Sequence, residues 1–266
     1  MKNKYVLVLI FLFSTVKMAA QQSTASKQVS TFSMEAPQLQ TTKKIWLYLP
    51  INYDISPKKY PVIYMHQAQN LFDEQTAKVG EWNIDEKLDS LKAQVIIVGI
   101  ENDDRLDELI PFKNSNYGGG RADSYLEFIV KNVKPEIDKK YRTKSNAKNT
   151  IIMGSSLGGL TSFYAILKYP EVFGKAGIFS PDFGINRKDI FKLTENTKKL
   201  KAKIYFLCGD NVDNAERIQD LNKMEYLINS IRCECMLLNK KRIVKGQHDN
   251  EKLWRDGFVK AYLWLF

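Results

Sequence analysis

TIIMGSSLGGL, residues 150–160, joins a short apolar run to a helical pattern through two serines and three glycines. The apolar residues up to Met153 read as a buried strand, and GLTSFYAILKYP (159–170) has helical spacing closed by Pro170. A strand that turns directly into a helix crowds the residues two places either side of its central residue. G-x-S-x-G fits in one register only, Gly154-Ser155-Ser156-Leu157-Gly158, because centring it on Ser155 puts Met153 and Leu157 where glycines are needed. In that register Ser156 projects its hydroxyl and the amide of Leu157 points into the same space. The bare motif turns up by chance in roughly one chain of this length in ten. The strand before it and the helix after it are what give it weight.

The same alternation extends in both directions. KKIWLYLP (43–50), YPVIYMH (60–66), QVIIVGI (94–100), KAGIFSP (175–181), AKIYFLCG (202–209) and CMLLN (235–239) read as further strands. WNIDEKLDSLKA (82–93), AERIQDLNKMEYLINS (215–230) and NEKLWRDGFVKAYLWLF (250–266) read as helices. In DSYLEFIVKNVKPEIDKKY (123–141), Tyr125, Phe128, Ile129, Val133, Ile137 and Tyr141 share one helical face, with a kink expected at Pro135. Strands alternating with helices of this length predict an α/β fold with a mainly parallel central sheet and helices on both faces. FSPDFGINRKDIFKLTENTKK (179–199) is the longest irregular stretch, placed where a lid or substrate loop would be inserted.

A serine hydroxyl needs a base, and the chain has two histidines. His66 follows the early strand PVIYM, whereas His248 lies between the last strand and the final helix. In the order serine, acid, histidine, which goes with G-x-S-x-G on an α/β-hydrolase sheet, only His248 can be the base. The acid belongs after the strand KIYFLCG, where the loop holds Asp210 and Asp213. Asp213, three to four residues past the strand end, is preferred over Asp210. Its task would be to hold the imidazole tautomer and offset the imidazolium charge. Asp249 and Glu251 are too near His248 in sequence to be first choices.

At 266 residues, 44% hydrophobic and 26% charged, the chain suits one sizeable domain. Lys2 and Lys4 precede an apolar run from Tyr5 to Phe13, and small residues follow at Ala19 and Ala20. That is the layout of a secretory signal, too short to span a bilayer comfortably. We therefore expect a signal peptide over 1–20, a flexible polar leader over 21–31, a catalytic domain over 32–266, and a periplasmic or secreted protein without a stable membrane anchor. Removing 1–20 takes Lys2, Lys4 and Lys17 and no acids, so a net charge of +10 becomes +7. The remaining lysines are scattered and not interleaved with aromatics, which argues for a solvated basic surface and against nucleic-acid binding. Three cysteines are an odd number for an exported chain, and a disulfide from Cys208 to Cys233 or Cys235 is left open. The C-x-C spacing with no nearby histidine does not resemble a zinc site.

YLPINYDISPKKYPVIYMHQAQNLFDE (48–74), EWNIDEKLDSL (81–91), VGIENDDRLDEL (98–109), GSSLGGL (154–160), YLEFIVKNVKPEIDKKYRT (125–143) and GQHDNEKLWRDGF (246–258) together resemble the putative-esterase family of α/β hydrolases. That family includes ferric-enterobactin esterases, feruloyl and acetyl-xylan esterases and S-formylglutathione hydrolase. The resemblance covers roughly residues 32–266. It implies Ser156 as nucleophile, His248 as general base, Asp213 as the better-fitting acid, and a second oxyanion donor from a backbone amide near Gln67 or Ala68. Where the family commonly reads H-D-G-Q-N-L-F-D, this chain reads His66-Gln67-Ala68-Gln69-Asn70-Leu71-Phe72-Asp73. Alanine for glycine is harmless there only if that residue has negative φ, and a misplaced oxyanion donor costs about 10²–10³ in rate.

The expectation is an exported serine esterase that forms an acyl-enzyme and needs no metal or cofactor. Its substrate would be a small-molecule or saccharide ester, such as an acylated polysaccharide or a siderophore lactone. Trp82, Tyr117, glycines 118–120 and Phe183 are candidates for lining the pocket, with core packing the competing role for the aromatics. The alternatives are an acyltransferase on the same scaffold and a catalytically weak binding protein. The oligomeric state is not readable.

Overall fold

The computed structural model describes residues 22–198, 200–231 and 238–266. Eight strands form one sheet: β1 (Val29–Ala36), β2 (Thr41–Tyr48), β3 (Val62–His66), β4 (Ile96–Ile100), β5 (Thr150–Ser155), β6 (Lys175–Phe179), β7 (Lys203–Gly209) and β8 (Leu238–Val244). Their spatial order is β1-β2-β4-β3-β5-β6-β7-β8. The β1–β2 and β2–β4 pairs are antiparallel, and every pair from β4 through β3 to β8 is parallel. The helices are α1 (Ile84–Ser90), α2 (Arg105–Leu109), α3 (Ala122–Phe128), α4 (Lys134–Lys140), α5 (Leu157–Lys168), α6 (Arg187–Glu195), α7 (Ala215–Ser230) and α8 (Glu251–Leu265).

The apolar runs alternate faces as strands must. Val62 and Tyr64 of β3 and Ile96, Val98 and Ile100 of β4 join a core layer with residues of α3 to α7. Ile63, Met65 and Ile97 point the other way, into a layer closed by α1 and α8. Both faces are covered, which is why the central strands are apolar throughout. This is the α/β-hydrolase fold. None of the described helices is long and apolar enough to cross a membrane.

Three details differ from the expectation. Strand β1 begins at Val29, and Ser23, Thr24 and Ser26 hydrogen-bond to Asp73, Glu81 and Asp85, so residues 23–31 are built into the fold and are not a free leader. Pairing with β2 explains this, because FSMEA supplies a strand edge whose signal the polar residues around it obscure. The stretch 179–199 contains a 3-10 turn (Phe183–Asn186) and α6, whose Ile190, Phe191 and Thr194 are buried, so residues 183–195 are packed helix and not an open loop. The last strand runs on to Val244 through residues whose lysines read as loop. Positions 232–237, which include Cys233, Cys235 and the start of CMLLN, lie outside the described residues, as does the expected signal. Cys208 carries a free thiol, buried and pushed up to about 12 by that burial and by Asp249 beside it. At Pro135 the helix does change, through a π-helical turn over Ile129–Val133 that leaves the proline in the first turn of α4.

Candidate active site

Ser156 stands between β5 and α5 with φ 52° and ψ −117°, a backbone region that residues other than glycine rarely adopt. The turn is held by Ser156 N–H donating to the Phe179 carbonyl (2.9 Å), and by the Ser156 carbonyl accepting from Leu160 (3.0 Å) and Asp182 (3.2 Å). Its hydroxyl has no hydrogen-bond partner among the described residues. Gly154 is required by contact: a Cβ there would stand 2.7 Å from the Gly158 carbonyl and 2.8 Å from His66 Cδ2, while one on Gly158 would press on His66 Cβ at 3.3 Å. The register on Ser156 thus follows from how closely β5, α5 and the end of β3 approach.

His66 is the residue they approach. It is buried, with Nδ1 2.8 Å from the Tyr125 hydroxyl and Nε2 3.1 Å from Ser162 Oγ. Ser162 donates its proton to the Gly158 carbonyl (2.7 Å), so it accepts from His66 Nε2–H, and Nδ1 accepts from Tyr125. Burial holds this imidazole down at about 3, so it stays neutral and braces the elbow.

His248 and Asp213 lie close together beyond the C-terminal ends of β7 and β8. His248 Nδ1 is 3.8 Å from Asp213 Oδ2, and both side chains are well exposed. Asp210 has a different partner: its Oδ1 accepts from the Gly246 amide, closing the loop that leads to His248. His248 Nε2 is 2.8 Å from Asn211 Nδ2. No hydrogen bond joins His248 to Ser156 among the described residues. Next to His248, the Asp249 side chain is 2% exposed and accepts from the Ser180 hydroxyl, Gly209 N–H (2.8 Å) and Arg217 (2.7 Å). This neighbour, set aside above as a candidate acid, anchors the histidine loop to β7 and α7. Neither it nor Asn211 carries a motif signal, since each works through partners about 30 residues or more away.

The loop after His66 bears on the second oxyanion donor. Gln67 has left-handed φ and ψ of 56° and 48°, and its N–H donates to Asn102 Oδ1 (2.9 Å), so this amide is already occupied. Ala68 is absent from the positive-φ residues, which removes the steric objection to alanine there. Behind the loop, Asn102 donates to Glu108 (2.7 Å), and Glu108 pairs with the buried Lys43. That lysine reads in the sequence as one more surface charge.

Of the expected lining residues, Tyr117 is exposed beside an open cleft of about 460 Å³ next to Leu157, with Arg105, Asn114, Asn116, Asp182 and Arg187. Trp82 is buried, stacked on Phe179 and tilted against Trp254, and faces only a void of about 10 Å³, the size of one water. Phe183 is fully buried between Phe163 and Phe191. Both belong to the core and not to the pocket. Phe183→Ala is expected to cost about 3–5 kcal/mol of stability by leaving a cavity. Denaturant unfolding checks this, and a loss confined to KM would return Phe183 to the pocket. Glycines 118–120 all have positive φ and make a tight turn, with Gly119 pressed against Ile110.

The family model for the Putative esterase family matches residues 36–265. The chain belongs to that family. It is an esterase, a carboxylic ester hydrolase. It is 26% identical over 235 residues to uncharacterized protein YbbA of Bacillus subtilis, covering 84% of this chain and 92% of that one. It is 28% identical over 166 residues to the ferri-bacillibactin esterase BesA of Bacillus subtilis, covering 55% of this chain and 56% of that one. Among solved structures, the BES protein from Bacillus cereus superposes on the esterase with a TM-score of 0.74 at 18% identity, covering 92% and 97% of the two chains.

Proposed function

We propose that the chain is an exported serine esterase that works through Ser156, His248 and Asp213. The observation that carries this is the strained Ser156, held at the strand-to-helix elbow with its hydroxyl unengaged. With Asn211 Nδ2 donating to His248 Nε2, the imidazole carries its proton on Nδ1, the side of Asp213. That is the tautomer a general base needs, and a shift of Nε2 from Asn211 to Ser156 completes the relay. Ser156 Oγ then attacks the ester carbonyl carbon as His248 takes its proton. The amide of Leu157, with that of Ala68 because Gln67 N–H is occupied, receives the oxyanion. The C–O bond breaks as His248 protonates the leaving alkoxide, and water resolves the acyl-enzyme with His248 again the base.

The substrate we favour is an anionic siderophore-type ester over a neutral acylated saccharide. The relative BesA supports this, and so does the cleft, in which Arg105 has no carboxylate within ion-pairing distance among the described residues. Arg105→Ala is expected to raise KM about tenfold for a catecholate ester, the scale of one charge-assisted contact, and to leave p-nitrophenyl acetate hydrolysis unchanged. Equal KM values in that variant, with faster turnover of acetylated or feruloylated saccharide, would transfer the assignment to saccharide esters. The acyltransferase reading is separated by product analysis with sugar acceptors present, since transfer yields a new ester where hydrolysis yields free acid.

A further inference from the structure

Outside the cleft lining, one carboxylate oxygen from each of Glu81, Asp85 and Glu86 lies within 4.8 Å of the others. Glu81 and Asp85 are 6% and 0% exposed. One oxygen of each has conventional partners: Glu81 Oε2 accepts from the Thr24 hydroxyl (3.1 Å) and Asn83 (2.9 Å), and Asp85 Oδ2 from the Ser26 amide (2.6 Å). The other oxygens, Glu81 Oε1 and Asp85 Oδ1, are sealed from solvent with no partner, and so is the Ser26 hydroxyl in the same corner. Nearby cations spend their donors on backbone carbonyls. Lys87 donates to the Trp82 carbonyl (2.9 Å) and Arg255 to that of Glu81 (3.3 Å), and no ion pair reaches any of the three acids among the described residues.

Buried polar atoms without partners are rare, and buried like charges without a counter-ion are costly. We propose that Glu81, Asp85 and Glu86, with the Ser26 hydroxyl, bind a calcium ion. Ca²⁺ takes oxygen ligands at about 2.3–2.6 Å, so ligands on opposite sides of one ion stand about 4.8 Å apart. Three carboxylate oxygens within that span fit one coordination shell. Calcium suits the site better than magnesium because the protein itself offers four oxygen donors, two of them on buried carboxylates, whereas Mg²⁺ keeps most of its waters. Bound there, the ion ties residues 23–26 to the segment that carries Trp82, whose N–H donates to Asn70 (2.9 Å) beside the loop after His66. The site is therefore a brace under the oxyanion side of the elbow.

The test is thermal unfolding and calorimetric titration of the purified, EDTA-treated chain at pH 8 with CaCl₂. Millimolar Ca²⁺ is expected to raise Tm by about 5 °C, as saturation of a native-state site at roughly a hundredfold over Kd does. Glu86 is exposed, so Glu86→Gln should fold normally and weaken Ca²⁺ binding about tenfold or more, with Tm in EDTA unchanged or higher. Asp85→Asn should abolish the Tm shift. No shift and no heat at 5 mM CaCl₂ would overturn the proposal, as would a shift that both variants retain. An equal shift with MgCl₂ would overturn the choice of calcium. None of these readings depends on ester hydrolysis.

Discussion

Ser156→Ala is expected to lower kcat for a short-chain p-nitrophenyl ester by about 10⁵–10⁶, the loss seen when the serine of a working triad is removed. The variant should fold, because alanine fills the same space and the turn is held by backbone bonds from Ser156 to Phe179, Leu160 and Asp182. Ser156→Gly adds a second readout. At φ 52° and ψ −117° a side chain is strained and glycine is not, so this variant should be as inactive as the alanine one and more stable by about 1–3 kcal/mol. Turnover persisting in both would remove Ser156 from the chemistry. Lower stability in the glycine variant would remove the strain argument.

The acid is expected to separate cleanly. Asp213→Asn should reduce kcat by about 10³–10⁴ with Tm unchanged, since its exposed side chain contributes through His248 and little else. Asp210→Asn loosens the bond to the Gly246 amide that shapes the approach to His248, so it should lower Tm and cost about tenfold in rate. Kinetics and melting curves on the two variants decide between them. Loss of activity in Asp210→Asn alone, with both proteins folded, would move the acid to Asp210.

The parallel half of the sheet was legible because its strands are buried on both faces and leave uninterrupted apolar runs, as in QVIIVGI. The register of the elbow was legible because Gly154 has no room for a Cβ and Gly158 has little. What escaped lay where polar residues have specific partners far along the chain. β1 is an antiparallel edge strand whose period is confined to Phe32, Met34 and Ala36, too short a run to stand out from the polar residues before it. Lys43 is buried against Glu108, which is 65 residues away. Asp249 draws its partners from β7, α7 and the residue after β6, and Phe183 is core only because α5 and α6 close over it. The Gln67-Ala68 departure looked like a threat to the oxyanion loop. The structure makes the alanine unstrained and gives the glutamine amide to Asn102, a contact no linear motif announces.

The most direct test of the central claim is intact-mass and peptide-mapping analysis of the purified esterase after exposure to a fluorophosphonate. A single phosphonyl adduct is predicted on the peptide that contains Ser156, formed in step with the loss of esterase activity and absent from Ser156→Ala. No adduct while activity is lost, or an adduct confined to Ser155 or Ser162, would contradict it.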